Sequence, residues 1–405
     1  MAQLEYFCQK DGKKLRFGYT TGSCAAAASK AAARMLLTGQ RTDKVELMTP
    51  KGILLTLPVE EITAGEGFVS CAVRKDSGDD PDVTNGILIF SRAEFSSGEL
   101  PAGAYSPEEG VFIDGGKGVG RVTRPGLECP VGSAAINRVP REMIAAAVRE
   151  ARRESGSSAG ILVTISATEG ERLARKTFNP RLGILGGISI LGTSGIVEPM
   201  SEAALVDTIR VEVRQLAAAG RKLLTVTPGN YGEDFMKNVL RTDLEGAVKC
   251  SNFVGDTLDM AGEYGFERVL LVGHIGKFVK LAAGIMNTHS RYADGRMEIM
   301  AVHAVLCGAD RALAARIMDC ITTDDALDIL EEGGFLAETL SSILKKIDFH
   351  LKARSRGEYQ AEAVIFSNKR GLLGMTPGAA ELLEEWKRGS EGASGKTGGQ
   401  GPGEA

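Results

Sequence analysis

Four aspartates lie close together in a turn-forming segment of the N-terminal half. Residues 75–84 read KDSGDDPDVT. Carboxylates at this density can supply a general base, bind a cation or hold a cationic ligand. An EF-hand register starting at Asp80 fails, because Asn85 and Ser91 stand where that loop needs glycine and glutamate. The alternative is a solvated turn whose aspartates hydrogen-bond the backbone. Asp80 is our candidate base within this segment.

Glycine-bearing loops follow three predicted strands farther along the chain. They read NPRLGILGGISILGTSGIVEPMS over 179–201, PGNYG over 228–232 and GHIGK over 273–277. In an open parallel sheet, ligands bind at the carboxyl ends of the strands. The three loops therefore predict a ligand site, against the alternative that they are tight strand-to-helix turns.

Histidine and lysine accompany the third of these loops. His274 stands at a predicted strand end, and Lys277 follows it within one helical turn. His289 lies in the segment NTHS, residues 287–290. Histidine titrates near neutral pH, so either ring can move a proton or contact an anion. The alternative for each ring is a purely structural hydrogen bond.

Basic side chains and glycines are mixed in residues 114–125, DGGKGVGRVTRP. Glycines let backbone N–H groups approach a ligand, while Arg121 and Arg124 add positive charge that suits a polycarboxylate. The spacing matches neither the dinucleotide fingerprint G-x-G-x-x-G nor the P-loop. A flexible hairpin that binds nothing is the alternative.

A hydroxyl-rich turn opens an unusually alanine-rich segment at residues 18–39, GYTTGSCAAAASKAAARMLLTG. Thr20 and Thr21 can cap the following helix, and a helix N-terminus attracts anions. Alanine is the best helix former, and its small side chain lets another backbone or a flat ligand come close. The alternative is a tightly packed core helix.

The elements that must position these groups change character near residue 155. The first part mixes strand and turn signals with two helical segments, which predicts an α+β domain over 1–155. The second part alternates helical patterns with short apolar runs at 161–166, 223–227 and 268–272. That alternation predicts an α/β Rossmann-like domain with a mainly parallel sheet over 156–388. Residues 389–405 are rich in glycine and predict a disordered tail.

Composition narrows the class of protein. The chain has 405 residues, of which 43% are hydrophobic and 25% charged, and a net charge of −4. This charge argues against a nucleic-acid binder. The chain has no apolar run of membrane-spanning length and no apolar signal-peptide core. The seven cysteines form no C-x-x-C pair, so we expect a cytoplasmic protein without a protein-bound metal.

Taken together, the motifs resemble the CbiD-type cobalt-precorrin-5B C(1)-methyltransferases of anaerobic cobalamin biosynthesis. The resemblance spans about residues 15–366 and comprises several blocks in order. These blocks are GYTTGSCAAAASKAA, KDSGDDPDVT, GKGVGRVTRPGL, PVGSAAINRVPR, KTFNPRLGILGGISILGTSGIVEPMS, PGNYG and GHIGKFVKLAAG with THS.

The resemblance implies methyl transfer from S-adenosylmethionine to C-1 of cobalt-precorrin-5B, giving cobalt-precorrin-6A. Loop placement then suggests roles for individual residues, with His274 or Asp80 as the base for any proton loss. The cofactor side would comprise Gly187, Gly192, Thr193, Gly195, Gly229, Asn230 and Gly232. The substrate side would comprise Thr20, Thr21, Arg121, Arg124, Lys277 and His289.

Two other functions stay open beside the methyltransferase. A nicotinamide-dependent reductase acting on a corrin precursor needs a dinucleotide fingerprint after a first strand, and the chain has none. A non-catalytic tetrapyrrole carrier would bind the macrocycle but not S-adenosylmethionine. The sequence leaves the oligomeric state open and allows a homo-oligomer.

Overall fold

A computed structural model describes residues 5–10, 12–96, 98–229, 235, 237 and 246–394. The chain divides into two units, Met1–Glu202 and Ala203–Ala405. Both contain helices and sheets, so the predicted mixture of α and β structure is confirmed. The boundary lies later than the predicted 155/156, because the strand Ile161–Ala167 pairs with strands of the first unit.

The first unit is built mainly from strands. Its helices are α1 (Thr21–Thr38), α2 (Arg138–Ser155) and α3 (Gly170–Ala174). Its strands are β1 (Phe7–Lys10), β2 (Lys13–Arg16), β3 (Gly18–Tyr19), β4 (Lys44–Met48), β5 (Leu54–Pro58), β6 (Glu60–Gly65), β7 (Phe68–Arg74), β8 (Leu88–Phe95), β9 (Tyr105–Glu108), β10 (Val111–Gly115), β11 (Gly118–Val119), β12 (Arg121–Val122), β13 (Ile161–Ala167), β14 (Ile184–Leu185), β15 (Gly187–Ile188) and β16 (Ile196–Val197).

A six-stranded sheet in the order β6-β7-β8-β13-β10-β9 is the centre of the first unit. Its neighbouring strands are antiparallel except for β10 and β13, which are parallel. In β13 every second side chain is fully buried, starting with Ile161 and Val163. This alternation is typical of a strand with one face on a core. Strands β4 and β5 form an antiparallel hairpin.

Helix α1 is the core helix of the first unit. All seven alanines of its two runs are fully buried, and α2 packs against it. On the sheet side, the hydroxyls of Ser29 and Ser91 lie 2.9 Å apart. Lys30 extends from the helix to the carbonyl of Glu46 and to the carboxylate of Glu150, both at 2.8 Å. The small side chains thus serve close packing within the protein, and the core alternative is the correct one.

The second unit alternates strands with helices. Its helices are α4 (Glu202–Ala218), α5 (Val254–Glu263), α6 (Ile275–Phe278), a 3₁₀ helix (Val279–Ala283), α7 (Arg296–Leu306), α8 (Arg311–Met318), α9 (Thr323–Glu332), α10 (Leu336–Ser355) and α11 (Ala379–Ser394). Its strands are β17 (Leu223–Thr227), β18 (Val248–Lys249), β19 (Arg268–His274), β20 (Gln360–Ser367) and β21 (Gly371–Met375).

The sheet of the second unit has the order β18-β17-β19-β20-β21. Strands β18, β17, β19 and β20 are parallel, and β21 is antiparallel to β20. One face is buried by a core that includes Val226 and Leu271, and the other by a core that includes Val272, Phe366 and Trp386. Helices therefore cover both faces, as a parallel sheet requires.

The chain reverses its direction of travel across this sheet. From β17 it moves outward to β18, and it then returns to place β19 on the opposite side of β17. The boundary between β17 and β19 is therefore a topological switch point, where connections leave in opposite directions and open a crevice.

The C-terminal segment differs in part from the prediction. Helix α11 continues to Ser394, so the first six residues of the predicted disordered tail are helical. Residues 395–405 lie outside the described residues. None of the described helices combines the length and the apolar character needed to cross a membrane.

Candidate functional site

The carboxyl ends of β17 and β19 meet at the switch point of the second unit. Strand β17 ends at Thr227, whose hydroxyl donates to the carbonyl of Gly229 at 3.1 Å. Strand β19 ends at His274, which also caps α6. The Thr227 carbonyl accepts the N–H of Cys250, which brings the segment after β18 to the same edge. Segments that follow three parallel strands thus gather at one place.

The ring of His274 is held in one orientation. Its Nδ1 accepts the Gly276 N–H at 3.0 Å, and the ring lies edge-on to that of Phe366 with centroids 5.7 Å apart. Burial lowers the pKa of His274, while the nearby Asp324 opposes this effect. The ring is therefore neutral at pH 7, and its proton is on Nε2 because Nδ1 is an acceptor. In this form His274 donates from Nε2 and does not accept a proton there.

Acidification is expected to destabilise the second unit through His274. The pKa of His274 is lowered from 6.5 in the folded state, so the unfolded chain binds its proton first as the pH falls. The stabilisation linked to the neutral His274 ring is complete above pH 6.5, and it is lost as the pH falls through the lowered pKa of the folded state. Melting temperatures measured from pH 7.5 to 5 should fall less steeply in His274→Asn, which keeps an acceptor for Gly276 but does not titrate. Equal slopes in the wild type and in His274→Asn would contradict the expectation.

Lys277 and the segment around residue 288 belong to the same edge. Lys277 Nζ donates to the carbonyl of Ser251 at 3.4 Å, and burial lowers the pKa of Lys277. Lys280 is almost fully buried and donates to the carbonyl of Thr288 at 3.2 Å. The Thr288 N–H in turn donates to the carbonyl of Asn252 at 3.0 Å. These bonds connect the predicted residues Lys277 and His289 to the switch-point region, with His289 itself exposed to solvent.

Gly229 follows β17 and has no close neighbour among the described residues. Its φ is not positive, and a Cβ built on it meets no atom within 4 Å among them. Neither the backbone conformation nor a contact with a described residue requires glycine at this position. The predicted cofactor residues Asn230 and Gly232 lie outside the described residues.

The other predicted cofactor residues, Gly187, Gly192, Thr193 and Gly195, lie in the first unit. A Cβ on Gly187 would collide with the backbone of Gly118, and one on Gly192 would collide with the Thr20 side chain. Gly195 has a φ of +77°, and its Cβ would lie 2.9 Å from Thr49 Cβ. Packing alone explains these glycines. Thr193 is exposed.

The predicted anion-binding end of α1 is closed by its own unit. The N–H of Gly22 donates to the carbonyl of Leu191 at 2.8 Å, and the N–H of Ser23 to the hydroxyl of Thr20 at 3.2 Å. The hydroxyl of Thr21 accepts from the Leu191 N–H at 2.9 Å and donates to its carbonyl at 3.2 Å. These groups already have partners, so the geometry gives Thr20 and Thr21 a structural role.

Replacing Thr21 by valine is expected to lower the free energy of unfolding by about 2 kcal/mol. Thr21 is 5% exposed, and the change leaves both polar groups of the Leu191 backbone without the threonine hydroxyl. Urea denaturation measures the loss. The same substitution at the exposed Thr193 is the control and should stay within about 0.5 kcal/mol of the wild type. A stable Thr21→Val protein with weakened substrate binding would restore the substrate role predicted from the sequence.

The aspartate-rich turn is largely neutralised. Asp76 pairs with both terminal nitrogens of Arg16, and Asp82 pairs with the buried Lys75 at 2.6 Å. These partners hold the pKa values of Asp76 and Asp82 below the usual range. Asp80 accepts the Met200 N–H through Oδ1 at 3.0 Å, and its Oδ2 has no hydrogen-bond partner among the described residues. The two candidate bases, Asp80 and His274, lie in different units.

The two predicted arginines differ in their surroundings. Arg121 is bound within the first unit, to the carboxylate of Asp114 and the carbonyl of Gly115, both at 2.9 Å. Arg124 is exposed, and its guanidinium donates to the carbonyl of Arg181 at 3.4 Å. Arg124 is thus the more accessible of the two for a carboxylate. No group of three or more His, Cys, Asp or Glu side chains in the described ranges is placed to hold a metal ion.

Comparison with known proteins decides the family. The family model described as CbiD matches residues 8–199, and the model described as CbiD, C-terminal domain, matches residues 287–377. A protein of Ruminiclostridium cellulolyticum is 48% identical over 387 residues, covering 94% of this chain and 98% of the relative. This chain belongs to the CbiD family. A Thermoanaerobacter relative is 49% identical over 372 residues, covering 91% of this chain and 98% of its own, and both relatives are named cobalt-precorrin-5B C(1)-methyltransferase.

A solved CbiD structure is also similar to this chain. It is the cobalamin biosynthesis protein of Archaeoglobus fulgidus, 30% identical, with a TM-score of 0.37. The match covers 71% of this chain and 86% of the other.

Sequence reasoning missed one residue at the switch point of this CbiD protein. Asp324, in the first turn of α9, lies close enough to His274 to influence its titration. Its Oδ1 is buried and has no hydrogen-bond partner in the part of the chain that the structure describes. The signal in the sequence was a capping box at Thr322 and Asp325, which marks the start of α9 but not what the helix approaches.

Proposed function

We propose that this chain transfers a methyl group from S-adenosylmethionine to C-1 of cobalt-precorrin-5B, giving cobalt-precorrin-6A in anaerobic cobalamin biosynthesis. The observation that carries the proposal is CbiD membership along nearly the whole chain, with 48% identity to a relative named for this reaction. The match covers 98% of that relative, so both units of this chain have counterparts there.

We assign the donor to the switch point of the second unit. The gathering of segments after three parallel strands supports this placement, and so does a glycine at position 229 that no described neighbour requires. We infer a Rossmann-like role for this mainly parallel sheet. Asn230 and Gly232 continue the same loop in sequence and complete the assignment. We do not assign the glycines of the first unit to the donor site, because packing already explains them.

The donor supplies a methyl group on a positively charged sulfur. In the transfer, the sulfur–methyl bond breaks as the ring carbon forms its new bond in line, and the electron pair of the broken bond stays on sulfur. A neutral His274 suits this neighbourhood, because a protonated ring would repel the sulfonium. The protein contributes alignment and exclusion of water, worth up to about 7–11 kcal/mol in favourable cases.

The substrate carries carboxylates around a broad ring. We assign Lys277 and His289 of the second unit to these carboxylates, because both belong to the edge to which we assign the donor. Arg124 stays the exposed candidate of the first unit for a carboxylate. Of the two candidate bases, Asp80 and His274, His274 is the less suited, because its proton is on Nε2 and its Nδ1 is bonded to Gly276. We place the reaction in the cytoplasm, which the seven unpaired cysteine thiols support.

The decisive experiment supplies purified protein with cobalt-precorrin-5B and S-adenosylmethionine carrying an isotopically labelled methyl group. The proposal expects one labelled methyl per macrocycle and an equal amount of S-adenosylhomocysteine, measured by mass spectrometry. Binding of the macrocycle without binding of the donor, measured by calorimetry, would favour the carrier. Oxidation of a nicotinamide cofactor without methyl incorporation would favour the reductase.

A further inference from the structure

Helix α7 is apolar on its inward side and on the C-terminal part of its outward side, with the exposed Glu298 one turn earlier on that outward side. Met300 and Ala304 are buried, whereas Val302 is 57% exposed and Leu306 is 72% exposed. Val305 lies on the same outward side and is also exposed. Exposed apolar side chains that lie together on one side of a helix indicate an interaction surface. Val302, Val305 and Leu306 form such a group on α7.

Helix α10 continues this surface. His303 Nδ1 on α7 and Ser342 Oγ on α10 lie 2.7 Å apart, which fixes the two helices together. Farther along α10, Phe349 is 57% exposed. A groove of about 430 Å³ runs where α7 ends beside α10, and it is lined by Cys307, Ala337, Glu338, Ser341, Ser342 and Lys345.

An acidic and a basic residue lie on either side of a serine pair on the outward face of α10. Spacings of three and four residues place Glu338, Ser341, Ser342 and Lys345 on one side of the helix. The acidic residue lies one turn before the serine pair, and the basic residue lies one turn after it. Such a face is complementary to its own copy in the antiparallel direction.

We propose that this face, formed by the outward sides of α7 and α10, binds a second copy of the chain. The two α10 helices run antiparallel and cross at Ser341 and Ser342, on a two-fold axis. Glu338 then faces the partner's Lys345, and the same pair forms again on the other side of the axis. The serines are small enough to let the helix axes approach closely. Leu306 and Phe349 flank the crossing and lose their exposure to water.

The size of the face suits a small interface. Helix α10 has 20 residues and is about 30 Å long, α7 has 11 residues and is about 16 Å long, and each helix is about 10 Å wide. The resulting area of about 460 Å² per copy is smaller than the about 800 Å² that a standard interface buries on each partner. The apolar side chains supply the burial, and the two charge pairs fix the direction of the helices.

Sedimentation velocity over a range of protein concentrations tests the proposal on the full chain. The wild type should be a dimer. Lys345→Glu and Glu338→Lys each bring like charges together twice, and each should raise the dissociation constant at least about tenfold. The double variant Glu338→Lys/Lys345→Glu restores opposite charges and should dimerise again. Circular dichroism and melting temperature establish that every variant is folded.

Arg153→Glu is the matched control, because it makes the same kind of charge change at an exposed helical position of the first unit. It should leave the dimer intact. A monomeric wild type would overturn the proposal, with this face then covered by other parts of the chain or by another protein. A dimer that both single reversals leave unchanged would overturn it as well, and so would a double variant that stays monomeric.

Discussion

Replacing Gly229 by valine is expected to weaken binding of S-adenosylmethionine about 30-fold while leaving the melting temperature unchanged. A Cβ at this position meets no atom within 4 Å among the described residues, so none of those residues opposes the larger side chain. The added methyl groups occupy the space beyond Thr227 that we assign to the donor. Overpacking of this kind costs about 2 kcal/mol, which corresponds to the stated factor in the dissociation constant. Isothermal titration calorimetry measures it directly.

Thr193→Val is the matched comparison for this prediction. Thr193 was also predicted on the cofactor side, but it lies in the first unit and is exposed. Its replacement should leave the dissociation constant of the donor unchanged. If Thr193→Val weakened binding and Gly229→Val did not, the donor would belong to the first unit, and the assignment to the switch point would be wrong.

Replacing Gly118 by alanine is expected to destabilise the first unit by about 3 to 5 kcal/mol. Gly118 has a φ of +78°, and a Cβ on it would collide with the backbone carbonyl of Ala167. The same small space is shared by Gly170 and Gly187, whose own Cβ atoms would collide with the Gly118 backbone. Left-handed strain and overpacking add, and the rigid main chain on every side cannot move away. The midpoint of urea denaturation measures the loss.

Gly132→Ala separates the two causes. Gly132 has a similar φ of +88°, but a Cβ there meets nothing within 4 Å. Gly132→Ala should lower the free energy of unfolding by only about 1 kcal/mol, because alanine is strained at this positive φ but meets no neighbour. Equal losses at Gly118 and Gly132 would mean that the close backbone contact contributes nothing.

Much of the local structure follows from the sequence. The alanine-rich helix and the strands Leu223–Thr227 and Arg268–His274 form where the sequence pattern predicts them. The sequence does not show which strands pair with one another. The run ILVTIS reads the same whether it joins an antiparallel or a parallel sheet, because pairing depends on residues far away in sequence. The domain boundary shifted for that reason.

The candidate site shows a similar limit. The sequence placed His274 correctly at the end of a strand, because an apolar run followed by Gly-His-Ile-Gly marks that point. It could not separate Gly187, which packs on Gly118, from Gly229, which has no close neighbour among the described residues. Both positions lack a Cβ, and only the neighbours brought by folding reveal why. Asp324 was missed because its approach to His274 depends on how α9 packs.

Strand β13 is synthesised after both of the strands that it joins, which affects folding during synthesis. This strand sits between β8 and β10, so the first sheet is incomplete until the ribosome has delivered residues 161–167. Before then, the inner edges of β8 and β10 lack their hydrogen-bonded partner, β13. Unpaired strand edges can pair with other chains. A chain truncated at 155 is therefore expected to aggregate more readily than one that continues to Glu202.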